Sequence, residues 1–162
     1  MATNENSKTF KVSTPSDREI TMTRVFDAPR SLVFHALTKP ELVKRWLLGP
    51  DGWSMPICEI DLKVGGAWRY VWRNADGREF GMGGVYREIE APSRIVHLER
   101  FEQGEALVTT LFHQDAGKTT LTMTMLFASK EERDGALESG MADGVAVSYD
   151  RLEDILVSTA AA

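Results

Sequence analysis

Two residues in the middle of the chain have the types and the spacing needed for proton transfer. His97 and Glu99 are alternate residues of a predicted strand, so their side chains would share one face of a sheet. An imidazole beside a carboxylate is suited to general acid–base chemistry near neutral pH. The pair is therefore the catalytic candidate of the sequence. His97 and the other histidines, His35 and His113, each also fit an ordinary surface or packing role.

A set of aromatic and methionine side chains predicts a ligand cavity rather than a reaction. In the strand Trp68–Arg73, the aromatic residues Trp68, Tyr70 and Trp72 would lie on one face, with Arg69 and Arg73 on the other. Large rings with adaptable methionines are typical of apolar pockets, although close core packing would also explain them. The predicted cavity residues are Trp46, Trp68, Tyr70, Trp72, Phe80, Met82, Tyr86, Met123, Met141, Val145 and Tyr149.

Other reactive patterns are weak. Cys58 is the single cysteine, which excludes an internal disulfide and a multi-cysteine zinc site. The histidines lack the i, i+4 spacing of helical metal ligands, so we predict no metal and no cofactor. The glycine-rich run Gly81–Gly84 lies within a strand pattern and does not lead into a helix, so it indicates a bulge or bend rather than a phosphate-binding loop.

The elements that would position these residues follow a simple order. A strand is predicted over Glu19–Phe26, then two short helices, the first opened by Pro29 and the second by a capping box over Thr38–Glu41. About six antiparallel strands follow between Trp53 and Phe127. A capping box at Ser129–Glu132 then begins one long amphipathic helix of about seven turns, in which Gly135, Gly140 and Gly144 are unfavourable residues.

The polar first 16 residues are predicted to be mostly disordered, which leaves a single domain over residues 17–158. Since the long helix can bury its apolar stripe only against the sheet, the fold class is α+β, with a curved antiparallel sheet around the C-terminal helix.

Composition narrows the classes of partner. The chain has 162 residues, a formal net charge of −5, 43% hydrophobic and 27% charged residues. An acidic balance argues against nucleic acid, and no apolar run is long enough for a membrane span. The N-terminus also lacks the apolar core of a secretory signal, so we expect a cytoplasmic protein without a membrane partner.

Several motifs, taken in order, resemble the family of homologues of the activator of heat-shock-protein-90 ATPase, within the START-like superfamily. The matching residues are Val25–Pro29, Val33, Phe34, Trp46, Asp61–Gly66, Asp76, Gly77, Gly84–Ile89, Gly117–Thr119, Gly140, Met141 and Tyr149–Leu152. The resemblance implies the helix-grip fold over roughly residues 18–157. It implies a function only weakly, because a fold does not name a ligand.

Three functions remain open from the sequence. The leading hypothesis is non-enzymatic binding of a small apolar or aromatic molecule between the sheet and the C-terminal helix. The resemblance implies a chaperone-associated stress protein as the first alternative, and a cyclase- or dehydratase-like enzyme using His97 and Glu99 is the second. An exposed sheet edge would also allow a homodimer.

Overall fold

A computed structural model describes residues 5–102 and 104–161, and its largest element is one antiparallel sheet. The eight strands are ordered β1-β2-β8-β7-β6-β5-β4-β3. Their bounds are β1 Lys11–Ser13, β2 Glu19–Phe26, β3 Trp53–Ile60, β4 Ala67–Asn74, β5 Glu79–Glu90, β6 Arg94–Phe101, β7 Gly104–Asp115 and β8 Lys118–Phe127. The sheet confirms the predicted fold class, including the six consecutive strands from Trp53 to Phe127.

Tight turns join consecutive strands of the sheet. Gly77, which closes the β4–β5 hairpin, has φ of 82°. Ala116 and Gly117, between β7 and β8, have φ of 53° and 79°, as a type I′ hairpin turn requires. The long middle part of the sheet is therefore a meander in which neighbours in sequence are neighbours in space.

Four helices cover the concave face: α1 Arg30–Thr38, α2 Pro40–Trp46, α3 Lys130–Glu138 and α4 Met141–Ala161. The prediction of one long C-terminal helix is wrong in one respect, because the helix breaks between α3 and α4. Gly140 has φ of 80°, the left-handed conformation that ends α-helices and that glycine adopts without strain.

At one of the two predicted capping boxes, Ser129 forms the helix N-cap. The Ser129 hydroxyl accepts a hydrogen bond from the Glu132 backbone N–H at 3.1 Å, and it lies 3.4 Å from the Glu132 carboxylate. The box predicted at Thr38 is wrong. Thr38 is the last residue of α1, and its hydroxyl donates back to the Phe34 carbonyl, so α2 begins at Pro40 without a side-chain cap.

The N-terminal segment differs from the predicted disorder over residues 1–16. Residues 1–4 lie outside the described residues, but Glu5–Thr9 form a 3-10 helix and Lys11–Ser13 pair with β2. The Thr9 hydroxyl accepts from the Val25 N–H at 2.9 Å, and the Phe10 ring packs edge-on against Tyr149. These contacts compensate for a composition that alone would favour disorder.

A buried ion pair fastens α4 to the sheet. Arg24, on the inner face of β2, is fully buried and donates to Glu153 at 3.0 Å and to Asp150 at 2.8 Å. Glu153 also accepts from the Asp27 N–H at 3.1 Å and from Asn6 at 2.7 Å. The same carboxylate therefore joins α4, β2 and the N-terminal segment.

The irregular points of the sheet lie elsewhere than predicted. Register shifts occur between Ser54 and Ile57 in β3, and between Tyr86 and Glu88 in β5. The run Gly81–Gly84 instead pairs regularly with β4, so of the bulge or bend predicted there, the bulge is wrong. Within the run, Gly84 admits the close approach of a side chain from β4.

Candidate ligand cavity

The aromatic side of β4 faces the interior of the molecule. Trp68 is 4% exposed and Tyr70 and Trp72 are half-buried, whereas Arg69 and Arg73 lie exposed on the outer face. Arg73 pairs there with Glu79 at 2.6 Å. The alternation predicted from the sequence is thus the alternation of the strand.

The rings form a continuous series that we call the aromatic wall, made of Phe80, Trp72, Tyr70, Trp68, His97 and Tyr86. Successive ring centroids lie 5.7, 5.8, 4.8, 5.2 and 6.4 Å apart. These separations are typical of favourable tilted and edge-to-face pairs. Each ring therefore packs against its neighbour along the cavity lining.

Backbone carbonyls fix the indole groups. The indole N–H groups donate from Trp68 to Leu98 at 3.2 Å, from Trp72 to Leu47 at 2.7 Å, and from Trp46 to Ala36 at 3.0 Å. Because these donors are already used, the three tryptophans offer a ligand apolar surface rather than hydrogen bonds.

Gly84 makes room for Trp68. It lies opposite Trp68 in β4 and Glu99 in β6. A Cβ atom at Gly84 would collide with the Leu98 carbonyl oxygen and would lie 3.2 Å from the Trp68 indole nitrogen. The missing side chain therefore lets the indole lie flat across β5 and reach β6.

The cover is formed by the first half of α4 together with the segment after α2. Met141, Val145 and Tyr149 face the sheet from α4. The Ser148 hydroxyl accepts from the Gly49 N–H at 2.9 Å, and the Arg151 guanidinium donates to the Gly49 carbonyl at 2.6 Å. The helix and the segment are in this way held as one layer.

Between this cover and the sheet lies a cavity of about 1160 Å³. Cavities that hold small molecules are usually about 300–1,000 Å³, so this one has room for a molecule of that class. The structure brings all the predicted cavity residues together in its lining: Trp46, Trp68, Tyr70, Trp72, Phe80, Met82, Tyr86, Met123, Met141, Val145 and Tyr149.

Three tyrosines bring polar groups to this apolar space. Within the described residues, the hydroxyls of Tyr70, Tyr86 and Tyr149 have no hydrogen-bond partner, and Arg24 Nε is the only fully enclosed polar side-chain atom that lacks one. All three residues belong to the lining of the cavity.

Burial keeps these hydroxyls protonated. It raises the pKa of Tyr86, and it raises the pKa of Tyr149 despite the opposing Arg24. The pKa of Tyr70 is raised by burial first, then by the nearby Tyr86 and Glu99. Each phenol can consequently both donate and accept a hydrogen bond.

The predicted acid–base pair is also in the lining. His97 Nε2 lies 3.6 Å from Glu99 Oε1, and the two side chains are 18% and 15% exposed. This separation is longer than a hydrogen bond and permits an ion pair if the imidazole is protonated. The other two histidines, His35 and His113, lie on the surface, away from the cavity.

The sequence did not predict the residues at the rim of the cavity. These include Glu102, Glu131 and Arg78, as well as the segment Leu47–Pro50. These residues belong to turns and helix ends whose positions depend on tertiary packing. The turn residues Gly49 and Pro50 were the only local signal.

Three other features of the described residues concern cysteine reactivity, metal binding and membrane spanning. Burial raises the pKa of the Cys58 thiol to about 11, as expected of an unreactive cysteine. Among the described residues, no cluster of three or more His, Cys, Asp and Glu could hold a metal ion. In the same part of the chain, no helix is both long enough and apolar enough to cross a membrane.

A curved antiparallel sheet that encloses a cavity beneath a C-terminal helix defines the helix-grip class of proteins. Within this class, the chain belongs to the family described as "Activator of Hsp90 ATPase homolog 1-like protein", whose model matches residues 27–157. Among curated proteins, no significant match is found.

Solved structures share this fold. A protein of Rhodobacter sphaeroides is 32% identical, with a TM-score of 0.86 over 92% of this chain and 98% of that chain. A protein of Nitrosomonas europaea is 23% identical, with a TM-score of 0.82 over 92% of this chain and 100% of that chain. The "AHSA1-like protein" of Aeromonas hydrophila is 20% identical, with a TM-score of 0.70 over 83% of this chain and 93% of that chain.

Proposed function

We propose that the chain is a non-enzymatic binding protein for a small apolar or aromatic molecule. The supporting observation is the cavity of about 1160 Å³ between the aromatic wall and α4. Apolar faces would supply most of the affinity, and the tyrosine hydroxyls would orient the ligand. A core that only stabilised the fold would be close-packed, with few voids larger than a water molecule.

Filling the cavity tests the proposal. N-phenyl-1-naphthylamine, a neutral probe that fluoresces in apolar surroundings, should bind the wild-type chain. Val145→Trp should weaken this binding, because Val145 lines the cavity and the larger indole would occupy part of its volume. Val147→Trp is the matched control, since Val147 lies two residues along α4 and is 41% exposed.

Circular dichroism verifies that each variant folds, and Met123→Trp fills the same space from the sheet if Val145→Trp does not fold. Absence of binding to the wild type, or unchanged binding in a folded cavity-filled variant, would reject the proposal.

The family description alone suggests a chaperone role. A change in the ATPase rate of a bacterial heat-shock protein 90 that persists in the Val145→Trp variant would favour that role instead.

The His97–Glu99 geometry supports a second candidate function, an enzyme that uses His97 as a base. A bound ketone such as 4-phenylbutan-2-one would lose an α-proton to the imidazole and regain it from solvent. Catalysed α-deuterium exchange in D₂O that is lost in His97→Asn and retained in His113→Asn would support this function. Exchange no faster than in buffer would reject it.

A further inference from the structure

Carboxylates dominate the charged groups of the cavity lining. The acidic residues there are Glu79, Glu99, Glu102, Glu131 and Glu132, and the basic ones are Arg78 and His97. Glu79 is neutralised by Arg73, and Glu132 is engaged in the Ser129 capping box. Within the described residues, Glu102 and Glu131 have no ion-pair partner, and Glu99 has only His97 at 3.6 Å.

Glu99 is the carboxylate that lies inside. It projects from the inner face of β6, between His97 and Phe101, and its side chain is 15% exposed. A carboxylate removed from water is stable only when a cation or several hydrogen bonds compensate it. His97 is its sole neighbouring cationic group among the described side chains, and it carries charge only when protonated.

The second observation is the hydroxyl of Tyr86. This residue is 4% exposed, lines the cavity and has no hydrogen-bond partner among the described residues. Tyr86 pairs with His97 across β5 and β6, and Tyr70 lines the same cavity as Tyr86 and Glu99. The lining therefore combines one carboxylate with two phenol oxygens that can accept hydrogen bonds.

Aromatic faces in the same lining favour the same kind of ligand. Tyr70, Trp72 and Phe80 follow one another along the wall at 5.8 and 5.7 Å. The faces of such rings attract cations, and the attraction strengthens away from water. An anionic ligand would instead meet Glu99 and, at the rim, Glu102 and Glu131.

From these observations we propose that the cavity selects an amine: a protonated ammonium group joined to an apolar or aromatic body. The ammonium has N–H donors and no acceptor, which complements Glu99 and the oxygens of Tyr70 and Tyr86. The apolar body would lie along the aromatic wall. This inference rests on the proposed binding function and specifies its ligand class.

Three probes with one skeleton test the selection: 4-phenylbutan-1-amine, 4-phenylbutan-1-ol and 4-phenylbutanoate. Each is titrated against bound N-phenyl-1-naphthylamine at pH 8.0, above the range in which histidines ordinarily take up a proton. The amine should displace the probe at a concentration about tenfold lower than the alcohol, and the carboxylate should be weakest.

Glu99→Gln should reduce the preference for amine over alcohol to about one, while Glu105→Gln should retain it. Glu105 is a matched control because it loses the same charge but lies outside the cavity, paired with Arg100. Equal binding of the three compounds would overturn the amine proposal and leave the binding function standing. Displacement by none of the three would likewise overturn the amine proposal, whereas failure of N-phenyl-1-naphthylamine itself to bind would reject the binding function. A preference that persists in Glu99→Gln would overturn the role of Glu99.

Discussion

Replacing Gly84 with alanine should destabilise the protein far more than the same change at Gly81. The added Cβ at Gly84 would meet the Leu98 carbonyl oxygen and would lie 3.2 Å from the Trp68 indole nitrogen. Overpacking of this kind costs about 1–3 kcal/mol. The Trp68–Leu98 hydrogen bond would also be lost, at about 1 kcal/mol. We therefore expect a loss of about 2–4 kcal/mol in the free energy of unfolding.

Gly81 provides the control within the same strand. A Cβ there would lie 3.5 Å from the Tyr70 carbonyl oxygen and 3.6 Å from a Val71 methyl group, both ordinary contacts. Gly81→Ala should change the free energy of unfolding by less than about 1 kcal/mol. Urea denaturation followed by tryptophan fluorescence measures both variants. Equal destabilisation would refute the argument that Gly84 exists to admit the Trp68 indole.

Three further outcomes follow from other contacts. Arg24→Met should lower the free energy of unfolding, measured by urea denaturation, by about 3–5 kcal/mol because it leaves Glu153 buried and unpaired. Adding Glu153→Leu to this variant should restore part of the lost stability. No restoration would contradict the pairing. Ser129→Ala should cost about 1 kcal/mol by removing the cap of α3, and an unchanged transition midpoint would contradict this. Because the pKa of Cys58 is raised to about 11 from 9.0, the folded state retains the proton more firmly than the unfolded state, so stability should fall as pH rises from about 9 to 11. Iodoacetamide at pH 8 should accordingly modify the folded protein about 100-fold more slowly than the urea-unfolded protein, and equal rates would show a normal thiol.

The sequence predicts the faces of the strands well because alternation is a local property. The inner face of β4, with Trp68, Tyr70 and Trp72, follows from spacing alone. The volume beneath it does not follow. It depends on the distance between α4 and the sheet, which is set by contacts such as that of Arg24 with Glu153, far apart in the chain.

Two structural features that the sequence did not predict also have specific causes. Arg24 occupies an inward position in β2 that would ordinarily be apolar, and its partner Glu153 lies 129 residues away, so no local pattern pairs them. The break at Gly140 was signalled by the glycine, but the apolar spacing continues from Leu137 to Met141 as it would in an unbroken helix. Periodicity shows which side of a helix is buried, and it does not show where the helix changes direction.

The two edge strands of the sheet affect the tendency of the protein to aggregate at high concentration. β1 has only three residues, and β3, at the opposite edge, contains Pro56 and the register shift between Ser54 and Ile57. Unpaired edges are templates on which further chains add as strands, and short length, proline and irregular register all oppose this addition. The protein can therefore contain a large apolar cavity at high concentration, because neither edge strand is a good template for fibril growth.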